Sequence, residues 1–275
     1  MLIELFYRDR ILSPDRQISR YTIDKIIGEG RYGICYLVHD GQKQYILKQL
    51  KRGMLKKSKA KAGYEEEILM STQHERIPRF IEKISGRDFY GYVLEYKAGK
   101  TLEEVICDEG YVFTPEEIYR IGLQVIDIMK YLHGKNIVHR DIRVPNTLYD
   151  NGQLYLLDFG LARWVDRDRY TVDVDFSYFG DFLLHLHYTA FELEDGTSKA
   201  GIFQYGVKYF RQLFSKRKSD KKKVWHEELD LSPQATMFLK RLMGLAQRYK
   251  NIDEVEKDFK LSHSRQNYSS PPPPQ

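Results

Sequence analysis

The first part of the chain shows the hydrophobic pattern of short β-strands. From Tyr21 to about Tyr96, runs rich in Ile, Val, Leu and Tyr alternate with short polar breaks. One longer stretch, Ala60–Thr72, is acidic, contains no proline and favours a helix. The pattern therefore predicts a β-rich region with a single helix. Its strands are separated by glycine-containing breaks of the kind found in hairpin turns, at residues 28–33, 40–41 and 85–86.

The second part of the chain has a helical pattern. Thr114–Glu117 combines an N-cap, a proline at the first helical position and a capping-box glutamate. Apolar residues then recur at helical spacing over Ile118–Leu132, and Gly134 marks the end of the helix. The sequence Asn251–Glu254 begins a last helix by the same capping logic. We therefore expect helices to dominate from Thr101 onward.

These patterns together predict an α+β protein with two lobes. Within the helical part, Asn151-Gly152 predicts a two-residue hairpin turn between strands at 147–150 and 153–157. The end of the chain is polar and finishes with a run of prolines, so it is expected to be disordered or to form a polyproline II helix. The predicted organisation is an N-terminal extension at 1–20, a β-rich lobe at 21–96, a helical lobe at 97–261 and a tail at 262–275.

Composition narrows the class of protein. The 275 residues are 42% hydrophobic and 30% charged, which is ordinary for a globular protein and too apolar for general disorder. No apolar stretch is long enough to span a membrane, and the charged N-terminus does not resemble a signal peptide. The two cysteines, Cys35 and Cys107, form neither a disulfide framework nor a zinc-binding pattern. We therefore expect a cytoplasmic protein without a membrane partner.

The net charge of +5 is unevenly distributed. Lysines and arginines concentrate in two clusters, at residues 51–61 and 216–223. Each cluster is suited to an acidic partner. Neither lies in a nucleic-acid-binding motif, so solvated loops are the simpler interpretation and no nucleic acid is expected as a partner.

A glycine-rich segment is the first sign of chemistry. Gly28, Gly30 and Gly33 lie between two strand-like runs, where glycines allow a backbone to fold closely over phosphate. The same spacing occurs in dinucleotide-binding folds, but those continue into a helix. Because Ile34–Val38 has a strand pattern, a hairpin over a nucleotide fits better.

Lys48 follows the strand-like residues Tyr45–Leu47. A lysine at a strand end is usually solvated, whereas a lysine that points into a cleft needs an acidic partner. The glutamates Glu65, Glu66 and Glu67 of the predicted helix supply candidates.

The chain's most specific motif is His139-Arg140-Asp141-Ile142-Arg143-Val144-Pro145-Asn146, followed by Leu157-Asp158-Phe159-Gly160. Metal ions that bridge phosphate oxygens prefer oxygen ligands, which Asn146 and Asp158 supply from the two sides of one predicted hairpin. Asp141 is suited to orient an acceptor hydroxyl and take its proton, and Arg143 to stabilise charge on a transferred phosphoryl group.

In this order, the motifs resemble those of the eukaryotic-like (Hanks-type) serine/threonine protein kinases, over roughly residues 21 to 260. The chain looks like a small bacterial-type member. The resemblance implies ATP as phosphoryl donor with Mg²⁺, or Mn²⁺ as an alternative. It also implies that Lys48 binds the α- and β-phosphates and pairs with a helix glutamate, which by its spacing from His74 is Glu65.

The resemblance further implies an adenine pocket and a packed spine of an assembled active state. Leu94 corresponds to the gatekeeper before the hinge. The complete spine argues against a catalytically dead relative. The pocket would be lined by Cys35, Ile46 and Leu148, with backbone groups of Glu95 and Lys97; the spine would contain Leu69, Phe80, His139, Phe159 and Asp175.

The chain also departs from the family pattern. Cys35 replaces a usual valine, Ile46 a usual alanine, and Arg143 a lysine, which is not an equivalent cation. Only 17 positions separate Asp158 from Asp175, without an A-P-E triplet. In this shortening the chain resembles RIO-type atypical kinases. In the family, this segment binds the substrate peptide and carries the activating phosphorylation. Arg140 would bind phosphorylated Tyr170 or Thr171, or else a permanently acidic residue, Asp173. We favour Asp173.

Three functions follow from this sequence. The leading one is a serine/threonine kinase that acts on proteins, including itself, with an unknown protein substrate. The short segment makes a small-molecule kinase a reasonable alternative. A nucleotide-binding scaffold without turnover is disfavoured, because such a scaffold needs neither the base Asp141 nor both metal ligands.

Overall fold

The computed structural model describes residues 11–30, 33–51, 59–86, 89–166, 168–190 and 224–263. The chain forms two compact units. The first unit contains the residues up to Ala98 together with Tyr155–Trp164. The second unit contains Gly99–Leu154 and the residues from Val165 onward. The second basic cluster, 216–223, and residues 52–58 of the first lie outside the described residues.

A six-stranded antiparallel sheet forms most of the first unit, with strand order β1-β2-β3-β4-β6-β5. The predicted breaks all lie between neighbouring strands, which confirms the hairpin pattern. One helix, α1 (Lys59–Ser71), lies between β4 and β5 in the chain, as predicted. The strands are β1 (Gln17–Ile18), β2 (Tyr21–Glu29), β3 (Gly33–His39), β4 (Gln44–Leu50), β5 (Phe80–Ser85) and β6 (Tyr90–Glu95).

The core of the sheet includes residues that the sequence analysis had assigned to an N-terminal extension. Strand β1 pairs with β2, and Leu12 is only 3% exposed among core residues that include Tyr21 and Tyr36. The backbone N–H of Leu12 donates a hydrogen bond to the Tyr36 hydroxyl at 3.1 Å. The described residues before Tyr21 are therefore part of the folded unit, because their apolar side chains complete its core.

Helices dominate the rest of the chain, as predicted. The long helix α3 begins with the expected capping box, in which Thr114 and Glu117 bond each other's backbone N–H. The helices are α2 (Leu102–Cys107), α3 (Pro115–Gly134), α4 (Asp173–Tyr188), α5 (Trp225–Glu228), α6 (Pro233–Leu242) and α7 (Ile252–Ser262). The short strands are β7 (Lys100–Thr101), β8 (Ile137–Val138), β9 (Thr147–Asp150), β10 (Gln153–Leu156) and β11 (Arg163–Trp164).

Aromatic packing joins the helices of the second unit. Phe259 of α7 lies 5.3 Å from Phe238 of α6 and 5.9 Å from Phe179 of α4, measured between ring centroids. Gly122 of α3 is required for this packing, because a Cβ there would stand 2.3 Å from the Phe259 ring. These four helices thereby form the core of the unit.

The last helix extends further than the sequence analysis expected. Helix α7 begins after the Asn251 cap, as predicted, but it includes Ser262, and both Ser262 and His263 are buried. The predicted tail boundary at 262 is therefore wrong by two residues, since these side chains complete the helix packing. The proline-rich remainder lies outside the described residues.

None of the helices in the described part of the chain is long and apolar enough to cross a membrane.

Candidate active site

The glycines of the first motif serve different purposes. Gly33 begins β3 where that strand passes close to β4, since a Cβ there would stand 2.5 Å from the carbonyl oxygen of Gln49. Around Gly28 and Gly30 a Cβ would meet no atom within 4 Å, and neither has a positive φ. Neither packing nor backbone conformation requires glycine at these two positions, so close approach of a ligand is the remaining reason for their small size, although the Gly30 N–H already donates to the Gly33 carbonyl. The motif continues into strand β3, which excludes the dinucleotide-binding interpretation.

The sequence pattern predicted Lys48 at the end of a strand, but Lys48 lies inside strand β4. Its side chain is 10% exposed, and its ammonium group lies 2.6 Å from Glu65 and 2.8 Å from Asp158. Burial alone would lower the pKa of Lys48, but the nearby carboxylates outweigh this effect and raise it well above the ordinary value. Lys48 is therefore a buried, fully charged cation.

The structure distinguishes among the three neighbouring glutamates of helix α1. Glu65 is buried against Lys48, whereas Glu66 pairs with Lys83 at 2.9 Å and Glu67 is exposed. Successive helical residues point in different directions, so only one of the three can face the sheet lysine. Spacing from His74 had selected the same residue.

Asp158 combines a special backbone with an accessible carboxylate. Its φ of 52° lies in the left-handed region, which aspartate tolerates better than most residues. The carboxylate accepts a hydrogen bond from Gly160 N–H at 3.3 Å, and the side chain remains 45% exposed. The next residue, Phe159, is buried, and helix α1 packs against its turn. Burial of Phe159 thus anchors a partly exposed carboxylate beside Lys48.

Two of the residues expected around adenine, Cys35 and Ile46, lie on neighbouring strands of the six-stranded sheet. Cys35 lies opposite Lys48 in the ladder, and Ile46 lies opposite Leu94. Burial raises the pKa of the Cys35 thiol to about 11, so the thiol is neutral at pH 7. Leu148 belongs to the second unit, where it is half-buried in β9 opposite Thr101.

The hinge residues are held by ion pairs. Glu95 lies 3.1 Å from the Lys97 ammonium and 3.3 Å from the Arg79 guanidinium, and Lys97 also lies over the Tyr155 ring. The backbone N–H of Glu95 donates to the Arg79 carbonyl. The Glu95 N–H is therefore already used within the sheet.

The loop of Asp141 forms a compact polar network in the second unit. Arg143 binds the Asp141 carboxylate with two nitrogens, at 2.6 and 3.0 Å. The amide nitrogen of Asn146 donates to the same carboxylate at 2.7 Å and to the Asp141 carbonyl at 3.0 Å. Asp141 is 7% exposed, while the Arg143 side chain is 52% exposed. The network fixes the carboxylate and leaves the outer guanidinium nitrogen directed away from it.

Comparison with known proteins identifies the family of the chain that carries these residues. The protein kinase domain model matches residues 21–260. The chain belongs to the protein kinase family. It is 32% identical over 250 residues to the probable serine/threonine-protein kinase YbdM of Bacillus subtilis, an alignment that covers 87% of this chain and 88% of that protein.

Eukaryotic relatives of the kinase match over a shorter length. It is 33% identical over 153 residues to the serine/threonine-protein kinase SAPK2 of rice, which covers 53% of this chain and 44% of that protein. It is 30% identical over 152 residues to the calcium/calmodulin-dependent protein kinase cmkA of Emericella nidulans, covering 54% of this chain and 36% of that protein. The expected Hanks-type serine/threonine protein kinase is confirmed, and ATP-dependent phosphorylation of protein is its activity.

The kinase anchors its Asp141 loop on a buried aspartate. Asp175, at the start of α4, accepts hydrogen bonds from the backbone N–H of His139 at 2.9 Å and of Arg140 at 2.7 Å. His133 of α3 lies 3.0 Å from the same carboxylate, a contact that no sequence motif signalled. Arg140 has a positive φ of 67°, so these bonds hold the loop in a conformation that arginine rarely adopts.

The short segment before Asp175 is held by two arginines. The Arg140 guanidinium lies 4.5 Å from the centre of the Tyr170 ring, and Tyr170 forms a β-bridge with Asp166. Asp173, the favoured acidic partner of Arg140, binds Arg248 at 2.7 Å and the Thr171 hydroxyl. The Arg140 guanidinium thus packs against Tyr170, one of the residues that the sequence also offered as its partner.

Proposed function

We propose that this kinase transfers the γ-phosphoryl group of ATP to serine or threonine hydroxyls of proteins, including its own chain, with Mg²⁺ as the metal. The observation that carries this proposal is the buried cluster in which Lys48 contacts both Glu65 and Asp158. A scaffold that only binds nucleotide needs neither the base Asp141 nor both candidate metal ligands, Asn146 and Asp158. The names of the relatives support serine and threonine as acceptors.

The polar groups present fit the metal that such a reaction requires. Mg²⁺ prefers oxygen ligands and uses few protein groups when phosphates supply the others. Asp158 offers a partly exposed carboxylate. Asn146 directs its amide nitrogen at Asp141, so its carbonyl oxygen is the atom left for a metal. Asn146 and Asp158 would hold the ion, which neutralises charge on the phosphate oxygens when bound.

The remaining roles follow from chemistry at named atoms. A carboxylate oxygen of Asp141 accepts the acceptor hydroxyl's hydrogen bond and takes its proton as phosphoryl transfer proceeds. Arg143 keeps Asp141 oriented with two of its nitrogens, and its outer nitrogen stabilises negative charge on the transferred group. Lys48, steadied by Glu65, binds donor phosphates beneath Gly28 and Gly30. Cys35, Ile46 and Leu148 would contact adenine, with the Glu95 and Lys97 backbone.

A small-molecule acceptor is the second candidate. The observation that favours it is the short stretch between Asp158 and Asp175, which lacks an A-P-E triplet. Less chain in this segment leaves fewer groups to hold an extended peptide. We place either activity in the cytoplasm, where thiols such as the free Cys35 and Cys107 stay reduced.

Incubation with γ-labelled ATP and Mg²⁺ or Mn²⁺ tests the proposal. Wild type is compared with Asp141→Asn and Lys48→Ala, and Lys25→Ala serves as the matched control because Lys25 is an exposed lysine of the same sheet. We expect label on serine or threonine in wild type and Lys25→Ala, and none in the other two.

Two outcomes would favour other functions. ATP turnover that requires an added metabolite and leaves the protein unlabelled would favour the small-molecule kinase. Nucleotide binding seen as a melting shift, without any turnover, would favour the scaffold and contradict the proposed activity.

A further inference from the structure

A buried tyrosine lies directly across the sheet from the nucleotide-binding lysine. Tyr92 of β6 is the ladder partner of Lys48 in β4, and it is 0% exposed. Residues directly opposite in an antiparallel ladder project from the same face of the sheet. The preceding Gly91 permits close approach of the strands, because a Cβ there would stand 2.5 Å from the Lys48 carbonyl oxygen. The position of Tyr92 relative to Lys48 is thereby fixed by the backbone.

Core packing accounts for the Tyr92 ring but not for its hydroxyl. The ring lies 5.9 Å from the Phe80 ring, and a phenylalanine would fill the same space. Among the described residues the buried hydroxyl completes no hydrogen bond. Burial raises the pKa of Tyr92 well above its ordinary value, and the adjacent Glu65 carboxylate raises it further. A buried hydroxyl without a partner is unfavourable for folding, so this one requires another explanation.

Glu65 is a neighbour of Tyr92 that can accept further hydrogen bonds. A carboxylate can accept about four hydrogen bonds, yet within the described structure Glu65 receives one side-chain bond, from the Lys48 ammonium. Lys48 divides its donors between Glu65 and Asp158. A nucleotide that engages Lys48 would compete with Glu65 for the same ammonium protons.

We propose that Tyr92 is a positioning residue for nucleotide binding, whose hydroxyl donates to Glu65 and keeps that carboxylate against Lys48 when Lys48 also binds the donor phosphates. The inference rests on the proposed function of Lys48 and adds a residue that no kinase motif contains. It predicts that the hydroxyl improves nucleotide affinity while adding nothing to the stability of the unliganded fold.

The variant Tyr92→Phe in the full chain tests this inference. We expect its dissociation constant for ATP with Mg²⁺, and its KM for ATP, to rise about tenfold, the effect of one hydrogen bond to a charged group. The kcat at saturating ATP should remain near the wild-type value. The melting temperature without nucleotide should be unchanged or higher, because an unpaired buried hydroxyl has been removed.

Tyr36→Phe is the matched control. Tyr36 is also fully buried in the same sheet, but its hydroxyl is bonded to Leu12 and Gln49. We expect this variant to lose stability and to keep its ATP affinity, the opposite of Tyr92→Phe. A second check combines Tyr92→Phe with Glu65→Gln; if the hydroxyl acts through Glu65, the second substitution should weaken ATP binding much less than it does in wild type.

Equal ATP affinity of Tyr92→Phe and wild type would overturn the inference, as would a loss of melting temperature that accompanies the loss of affinity. The affinity comparison decides the matter even if no phosphoryl transfer is detected. Absence of turnover in wild type would instead count against the proposed function.

Discussion

The two units assemble their charged residues in different ways. In the first unit, the partners of Lys48 are 17 and 110 positions away along the chain, and the cluster exists only because sheet, helix and a distant turn pack together. In the second unit, Arg143 and Asn146 lie two and five positions from Asp141. One network is therefore a product of tertiary folding and the other of a single loop.

This difference teaches which substitutions should damage the fold and which only the reaction. Lys48 and Glu65 are both buried, so removing the Lys48 charge leaves Glu65 uncompensated, whereas removing Glu65 leaves Lys48 paired with Asp158 alone. The partners of Asp141 all come from its own loop. Asp175 holds this loop through hydrogen bonds from backbone N–H groups, which a substitution of the Asp141 side chain leaves intact. Stability and activity should therefore respond separately in the two units.

The largest expected effect is the loss of phosphoryl-transfer rate in the variant Asp141→Asn. Loss of the proton acceptor should lower kcat by about 10²- to 10⁴-fold, the range for general base catalysis. Its ATP affinity should stay close to wild type, and its melting temperature should fall far less than that of Lys48→Met, because the Arg143 side chain that loses a charged partner is 52% exposed. Steady-state kinetics and a thermal melt measure both; a large loss of stability would show that the loop is not the independent element described above.

Lys48→Met should act on the fold as well as on ATP binding. It leaves Glu65 buried and unpaired, which should reduce the free energy of unfolding by about 3–5 kcal/mol in urea titration. The double variant Lys48→Met/Glu65→Leu should recover much of this loss, because no uncompensated charge remains. A double variant as unstable as the sum of the two single ones would argue that the pair is not coupled.

Arg143→Lys should have a smaller effect, confined to the reaction. Lysine keeps the charge but cannot form two parallel bonds to the Asp141 carboxylate. We expect kcat to fall about tenfold, the cost of one hydrogen bond to a charged group, with stability unchanged. An unchanged kcat would indicate that the two-nitrogen contact plays no part in orienting Asp141.

The smallest expected effect separates the Tyr170 ring from its hydroxyl. Tyr170→Phe keeps an aromatic face for Arg140 and should retain wild-type activity, whereas Tyr170→Ala should lose several-fold because a cation–π contact contributes about 1 kcal/mol. Phosphotransfer assays on both variants make the comparison. Equal losses in the two would point to the hydroxyl, and hence to modification at Tyr170, as the sequence also allowed.

Much of the architecture could be predicted because its signals are local. The capping residues of α3 and α7, the hairpin breaks and the Asn151-Gly152 turn each depend on a few adjacent residues, and the structure contains all of them. The choice of Glu65 among three glutamates also follows from spacing. The catalytic and ligand-binding roles of the site residues stay predictions until the variants above are measured.

The misjudged features depend on contacts between distant parts of the chain. The ion pair of Asp173 with Arg248, 75 positions away along the chain, had no signal in the sequence. Burial of Leu12 in the sheet core and the hydroxyl of Tyr92 beside Glu65 likewise have no pattern along the sequence. Periodicity reports which face of an element is buried, but not which remote side chain covers it.

Buried residues near both ends of the described structure affect the choice of boundaries for an expression clone. A clone limited to the matched stretch, 21–260, would lack Leu12 and strand β1 at one margin and Ser262 and His263 at the other. Its product would expose Tyr36 and shorten α7. The stretch that the family model matches is therefore narrower than the stretch that folds, and an expression clone should extend beyond it on both sides.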